Sequence, residues 1–243
     1  MGEIIAVVSG KGGVGKSTIS CCLGRAFAQR GLKTVLVELD SGLRGVDIML
    51  GLSNTVYDLD DLLQGRCQIE EAIQQVDDSS LYAICAPVKL QRLPDREDFM
   101  ILCSALLTEF DLILLDAAAG CMLADCIASV ASLLLTVVTP DPICVRDAAL
   151  LTELFRYDLD AKANMRLIIN RVNTDLVKKG LIRDLDEVID TTGVQLIGVI
   201  PENAILCEAT AKGRDLEEKS LLHKVFAAIA GRIFGEEISL IFH

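Results

Sequence analysis

Short apolar runs recur along the 243-residue chain, and most of them are continuous rather than alternating. Continuous runs of this length are typical of strands covered on both faces. Stretches with helical periodicity separate them, such as 17–29 and 216–234. This alternation predicts an α/β fold: one domain over 1–243 with a mostly parallel, twisted sheet of about seven or eight strands and helices on both faces. The predicted strands are Ile4–Val8, Val35–Leu39, Leu81–Cys85, Leu112–Leu115, Leu133–Val138, Leu167–Ile169 and Leu196–Ile200.

The composition is that of a globular protein, with 51% apolar and 24% charged residues. No apolar run reaches the roughly 18 residues of a membrane-spanning helix. The first residues lack the basic region and the length of a secretory signal peptide. We therefore expect a soluble, cytoplasmic protein.

The charge balance argues against simple electrostatic binding to nucleic acid or anionic lipid. The chain has 23 basic and 35 acidic residues, a net charge of −12, and no Lys/Arg-rich run. Nucleic-acid binding needs clustered positive charge, so none is expected. The same deficit argues against electrostatic adhesion to anionic lipid. Nine cysteines are scattered without metal-ligand spacing, and we expect most of them to be small buried hydrophobic residues.

Residues 9–18 read Ser-Gly-Lys-Gly-Gly-Val-Gly-Lys-Ser-Thr and match the phosphate-binding pattern G-x-x-x-x-G-K-[ST]. A predicted strand precedes the motif and a predicted helix follows it, as this loop requires. Backbone N–H groups of such a loop surround phosphate oxygens. The chemistry predicts Lys16 at the β/γ-phosphates, Ser17 on Mg²⁺ and Thr18 near the α-phosphate. The predicted nucleotide-binding residues of the loop are Gly10, Lys11, Gly12, Gly13, Val14, Gly15, Lys16, Ser17 and Thr18.

Lys11 is a second lysine inside this loop, and the segment Lys-Gly-Gly-Val-Gly-Lys-Ser-Thr resembles the deviant Walker A motif of the MinD/ParA family of ATPases. In that family the extra lysine crosses a dimer interface and contacts the partner's phosphates. The resemblance implies ATP/ADP and Mg²⁺ as ligands, slow hydrolysis and a homodimer in the ATP state. The alternative for Lys11 is a solvated loop lysine.

Two strand-end aspartates match the family's acidic positions. Asp40 follows the strand 35–39 and would position the attacking water, with a water-mediated link to Mg²⁺. Asp116 follows the strand 112–115 and would hold Mg²⁺ through water. The alternative for Asp40 is a helix cap or a turn aspartate, and the alternative for Asp116 is a cap at a strand end. Residues 117–119 are all alanine where relatives have Ser-Pro-Ala, so a hydroxyl is missing, while Gly120 would offer an N–H to the γ-phosphate.

The resemblance also assigns a base site. Asn170 would read the adenine edge, because an amide carries both a donor and an acceptor. Arg171 would stack nearby, and the turn at Pro201 and Glu202 would flank the base. The alternative for this turn is an ordinary turn proline.

Two further residues fall at dimer-face positions of the family. Asp141 would lie near the partner's ribose, and Arg146 would brace the dimer face together with Lys11. Surface salt bridges are the alternative for Asp141 and Arg146.

The segment 41–47 resembles the first switch of MinD-type proteins more than that of partition proteins. The leading hypothesis is therefore an ATPase that positions cell-division machinery with an unidentified protein partner, an activator or a division inhibitor. The alternatives are a non-oscillating scaffold module for another cell-surface apparatus (flagellar, secretion or pilus) and, less favoured, a DNA-partition ATPase.

The C-terminal tail 236–243 is apolar but has two glutamates and no lysine. It could be a truncated membrane-binding segment, an edge strand or a segment docked on the core. We expect membrane binding to be weak or conditional, at the inner face of the cell membrane.

Overall fold

The computed structural model describes residues 2–41, 44–53, 55–87, 94–159, 161–173, 179 and 185–241. Two residues of the predicted switch, 42 and 43, and the last two of the tail, 242 and 243, lie outside these ranges.

The described residues form one eight-stranded sheet, in agreement with the predicted fold class. The strand order is β3-β4-β2-β5-β1-β6-β7-β8, and every neighbouring pair is parallel except β3 and β4. All seven predicted strands are confirmed. The strands are β1 Glu3–Val8, β2 Thr34–Glu38, β3 Gln74–Gln75, β4 Leu81–Ile84, β5 Leu112–Asp116, β6 Leu133–Val138, β7 Asn164–Val172 and β8 Leu196–Pro201.

Helices connect the strands. In the described ranges they are α1 Lys16–Gln29, α2 Val46–Leu50, α3 Leu59–Leu63, α4 Ile69–Ala72, α5 Arg96–Leu106, α6 Ala124–Val130, α7 Pro142–Glu153, α8 Leu185–Thr192, α9 Ala204–Ala211 and α10 Leu221–Ile233. A π-helical turn, Leu154–Asp158, continues α7.

The continuous apolar runs arise because both faces of the sheet are covered. In β1, Ile4, Ala6 and Val8 point into one core, which contains residues of α5, α6, α7 and α8. The alternate residues Ile5 and Val7 point into a second core, which contains residues of α1, α2, α9 and α10. The central strand β1 lies between β5 and β6, so the loops after these strands meet at one edge of the sheet.

The C-terminal tail is docked on the core in the described residues 236–241, so the edge-strand alternative is wrong. Arg232 at the end of α10 donates from Nη1 to the carbonyl of Ile197 at 2.7 Å and from Nε to the carbonyl of Ile238 at 2.8 Å. Glu236 forms an ion pair with Arg30 of α1. Ile241 packs against the α1–α10 core.

The expectation for the cysteines is confirmed. Seven of the nine are buried, only Cys121 and Cys207 are exposed, and all are free thiols. Within the described residues, no helix combines the length and the hydropathy that a membrane span requires.

Candidate nucleotide-binding site

The loop between β1 and α1 has the backbone conformation that phosphate binding requires. Gly13 and Gly15 have φ values of 80° and 93°, in the left-handed region that favours glycine. Gly15 is the N-cap of α1, and no side chain caps this helix end. The first N–H groups of α1 are therefore available to an anion, and the helix dipole favours negative charge there.

Two glycines of the loop are also required by close packing. A Cβ atom on Gly10 would lie 2.4 Å from the carbonyl of Asp147 in α7. A Cβ atom on Gly15 would lie 2.4 Å from Nδ2 of Asn170. The loop is thus held between α7 and the end of β7.

Lys16 lies between the two predicted acidic residues. Its side chain is 7% exposed, and its Nζ is 3.7 Å from Oδ1 of Asp116 and 4.0 Å from Oδ2 of Asp40. The structure therefore brings together three of the residues for which the sequence predicted phosphate and metal chemistry. Lys16 begins α1 after the loop that follows β1, Asp40 follows β2 and Asp116 ends β5, so all three lie at the same edge of the sheet.

Asp116 fits a magnesium ion. It is fully buried, and its Oδ1 accepts a hydrogen bond from the Ser20 hydroxyl at 2.8 Å. Its Oδ2 has no hydrogen-bond partner in the described part of the chain. Burial raises the pKa of Asp116, while Lys16 and Ser17 act in the opposite direction. A buried carboxylate oxygen without a donor, beside a serine hydroxyl, is the hard-oxygen ligand set that Mg²⁺ prefers.

Glu38 is a further residue of this site, which the sequence did not single out. It is 1% exposed at the end of β2, and its carboxylate accepts N–H bonds from Gly45 at 2.8 Å, Val46 at 3.1 Å and Ala86 at 3.0 Å. Burial raises its pKa, and the three hydrogen bonds oppose that shift. Glu38 therefore ties the segment that follows Asp40 to the end of β4. An acid at the end of an apolar strand was the only signal in the sequence.

Gly120 requires a correction. We expected its N–H to face the γ-phosphate, but this N–H donates to the carbonyl of Ser9 at 2.8 Å. The group is already used to fasten the segment after β5 to the phosphate loop. Contact with a phosphate would require this bond to break.

Lys11 and Asp141 lie beside each other. The distance from Nζ of Lys11 to Oδ1 of Asp141 is 3.9 Å, and both side chains are nearly half exposed. Asp141 is the N-cap of α7 and accepts from the N–H groups of Ile143 and Cys144. The hydrogen bond from Cys144 is the main reason that its pKa is lowered. The predicted contact of Asp141 with a partner's ribose stays a prediction.

Arg146 lies on the surface. Its side chain is 68% exposed, and its Nη2 is 2.9 Å from Oδ1 of Asp147. The salt bridge that the sequence left open as an alternative is therefore present within the chain. The role of Arg146 at a dimer face stays a prediction.

The predicted base-binding residues line one cavity of about 400 Å³ next to the phosphate loop. Asn170 is buried, and its Nδ2 donates to the carbonyl of Val14 in the loop at 2.7 Å. This bond uses one of the two N–H donors of the amide, so the amide oxygen and the other N–H of Asn170 are left for a base. Asn203, Leu206 and Cys207, which the sequence did not single out, complete the wall. The cavity is lined by Gly15, Thr18, Asn170, Arg171, Pro201, Glu202, Asn203, Ala204, Leu206 and Cys207.

Comparison with known proteins agrees with this geometry. Residues 5–216 match the family model of the CobQ/CobB/MinD/ParA nucleotide binding domain. The chain is 33% identical to the septum site-determining protein MinD of Bacillus subtilis, over 99% of this chain and 92% of that protein.

Two solved structures support the same relationship. The MinC:MinD cell division protein complex of Aquifex aeolicus matches with a TM-score of 0.89 at 32% identity, over 99% of both chains. MinD of Pyrococcus horikoshii, solved with Mg-ADP, matches with a TM-score of 0.85 at 25% identity, over 97% of both chains.

Proposed function

The chain belongs to the MinD/ParA family of P-loop ATPases, and from this premise we propose how its nucleotide switch works. It is a MinD-like ATPase of cell-division positioning. We propose that it binds ATP with Mg²⁺, dimerises in the ATP state and returns to a monomer after slow hydrolysis. The observation that carries this proposal is the position of Lys16 between Asp40 and Asp116 at the phosphate loop.

Each residue of this cluster has a separate task. Lys16 neutralises the β- and γ-phosphate oxygens, since its ammonium group is buried and already points into the site. Ser17 and Asp116 hold Mg²⁺, which when bound draws negative charge from the phosphates. Asp40 is 22% exposed, so its carboxylate can hold a water from solvent and orient it for attack.

The cavity beside the loop suits adenine. The Asn170 amide oxygen can accept from the exocyclic amine of adenine, whereas guanine offers an acceptor at the corresponding position. We therefore propose that ATP binds more tightly than GTP. Equal affinity for both nucleotides in a competition assay would contradict the base assignment.

In the dimer, each Lys11 acts on the partner's nucleotide. Its half-exposed side chain is free to extend from the surface, and its only ion pair in the described residues is the 3.9 Å contact with Asp141. Facing triphosphates repel each other, and one lysine from each side makes the closed dimer feasible. Loss of the γ-phosphate should then weaken the dimer.

The complex of MinC with the Aquifex MinD supports a protein partner of this kind, and we propose an inhibitor or activator protein as the partner. Membrane contact would be conditional, because the described part of the tail is docked through Arg232 and Arg30 and carries two glutamates. Dimerisation would bring two tails together and raise their combined affinity for the membrane. Co-sedimentation of the ADP monomer with anionic liposomes as strong as that of the ATP state would contradict this proposal.

A mixing experiment tests the switch. Lys11→Ala should bind nucleotide as a monomer but lose the dimer and turnover, and Asp40→Ala should bind ATP without turnover. If Lys11 acts in trans, mixing the two variants restores activity at the one active site that keeps Asp40 and receives Lys11 from the partner. Lys212→Ala, a surface lysine paired with Glu208, is the matched control and should behave as wild type. Mixed dimers without activity would reject the trans role.

Two controls check the site itself. Lys16→Ala should abolish ATP binding in calorimetry, and unchanged affinity would refute the phosphate-site assignment. Size-exclusion chromatography of Asp40→Ala should show a dimer with ATP and a monomer with ADP.

A further inference from the structure

A second cavity lies away from the nucleotide site, between the short helices α3 and α4 and the long helix α5. Its volume is about 240 Å³. Its walls are mostly apolar, and Ile101 of α5 is 68% exposed. We call this cavity the α5 groove, and its apolar wall consists of Leu62, Leu63, Ile69, Ile101, Leu102 and Ala105.

The helices around the α5 groove are strongly acidic. They carry six carboxylates against one arginine, Arg96. Arg66, which follows α3, neutralises two of the carboxylates at 2.7 Å, and Arg96 lies 3.8 Å from Asp125 of α6. The six acidic residues are Asp60, Asp61, Glu70, Glu71, Glu97 and Asp98.

Asp98 is the acid that matters most, because it lines the groove itself. In the described part of the chain, no cation pairs with Asp98, Glu97 or Glu70. Asp98 also lies one helical turn before Ile101, so a carboxylate and an exposed isoleucine stand next to each other on one face of α5. This surface thus offers apolar area and negative charge side by side.

We propose that the α5 groove is a docking site for a basic amphipathic helix of a partner protein. Leucine-type side chains of that helix would fill the apolar wall, and its lysines or arginines would pair with Asp98 and the neighbouring acids. This surface goes beyond the proposed nucleotide switch, since no residue of its wall lines the nucleotide cavity.

Charge decides between the possible occupants. A second copy of the chain has a net charge of −12 and would be repelled by the acidic rim. The described tail carries Glu236 and Glu237 and is docked on α10. An anionic lipid surface is repelled for the same reason. A basic helix is the occupant whose charge and shape both fit.

A synthetic peptide tests the proposal. The probe is a helical peptide of about 16 residues with leucine at positions i, i+3, i+4 and i+7 and lysine at most others; the control peptide has glutamate in place of lysine. Fluorescence anisotropy on the full chain should show saturable binding of the lysine peptide, weaker at high salt, and no binding of the glutamate peptide. Equal binding of both peptides would overturn the proposal.

Matched variants locate the binding surface. Asp98→Lys should weaken binding about fivefold or more, because it replaces an attraction by a repulsion. Glu218→Lys makes the same change in net charge at an exposed site before α10, on the other side of the sheet. It should change the affinity for the lysine peptide less than about twofold. Ile101→Ser should weaken binding about tenfold. Met100 is an exposed neighbour of Ile101 that does not line the groove, and Met100→Ser should leave peptide binding unchanged.

Circular dichroism and ADP affinity check that each variant is folded. If something other than a basic helix occupies the α5 groove, the same variants give different results. Equal losses in Asp98→Lys and Glu218→Lys would mean unspecific charge attraction and would reject the groove. Self-association of the wild-type chain in sedimentation velocity, lost in Ile101→Ser, would assign the groove to a second copy instead. Binding to phosphatidylglycerol vesicles, lost in the same variant, would assign it to a membrane.

Discussion

Asn170 provides the sharpest test of the nucleotide site, because the structure gives it a task that the sequence did not predict. Its side chain is 3% exposed, and its Nδ2 donates to the Val14 carbonyl at 2.7 Å. A residue that only reads the base would affect nucleotides that carry adenine. A residue that braces the phosphate loop would affect every ligand of that loop, including one without a base.

The magnitude follows from the hydrogen bond. Asn170→Ala leaves the carbonyl of Val14, itself 3% exposed, without its donor. An unpaired buried acceptor costs about 1–3 kcal/mol. If ligand binding must restore the order of the loop, this cost corresponds to a loss of about 5- to 150-fold in affinity. Asn170→Asp should lose more, because it directs a negative charge at a carbonyl oxygen close to the phosphates.

The assay compares Mg-ATP with Mg-tripolyphosphate, which has the phosphates but no base, by calorimetry. For Asn170→Ala we expect both affinities to fall together. Asn164→Ala, an exposed asparagine at the start of the same strand, is the control and should bind both ligands as wild type does. If tripolyphosphate affinity stays within about twofold of wild type while ATP affinity falls, Asn170 reads the base only and the brace is refuted.

Three further predictions follow from burial and packing. A thiol reagent at pH 8 should modify only Cys121 and Cys207 in the native protein, because the other seven cysteines are buried, and burial raises the pKa of Cys22, Cys85 and Cys103 to about 12. Because Cys207 lines the base cavity, ADP should protect it in mass-spectrometric mapping. Glu38→Gln should lose one of the three N–H bonds that the carboxylate accepts, and should therefore destabilise the fold by about 1–3 kcal/mol in urea unfolding. It should also lower kcat more than KM. Unchanged stability and kcat would contradict the positioning role of Glu38. Gly231→Ala should displace the tail, because the added Cβ would lie 2.5 Å from Cδ1 of Ile238. A Glu-specific protease should then cleave the tail faster, with little change in Tm. Unchanged cleavage would mean that the tail is not held against Gly231.

The sequence predicted the sheet well because its signal is local. A strand covered on both faces is apolar at nearly every position, so all seven runs could be identified without knowing their neighbours. The strand Gln74–Gln75 was missed because it is two residues long and polar. It exists only through its antiparallel pairing with Tyr82 and Ala83 of β4, which no local pattern indicates.

The residues of the candidate site that directly follow a predicted strand or its phosphate loop could be predicted from the sequence. Lys16, Asp40 and Asp116 were identified because parallel strands bring their carboxyl ends to one edge of the sheet. The bond of Asn170 to Val14 could not be identified, because it depends on the register of β7 across β6 to β1. The bond from Gly120 to Ser9 likewise depends on the register of β5 against β1.

The two loop lysines differ in burial, and this difference fits the two separate functions that we propose for them. Lys16 is 7% exposed and lies near two carboxylates, so a phosphate group joins a charge cluster whose cation is already in place. Lys11 is 44% exposed, and its only ion pair within the described residues is the one at 3.9 Å from Asp141. An exposed ion pair of this kind contributes only about 0–1 kcal/mol, so Lys11 can leave Asp141 at little cost. A lysine that must reach another subunit has to be movable, whereas a lysine that anchors the phosphates within its own subunit has to be fixed. The burial of each side chain therefore matches the subunit on which it is proposed to act.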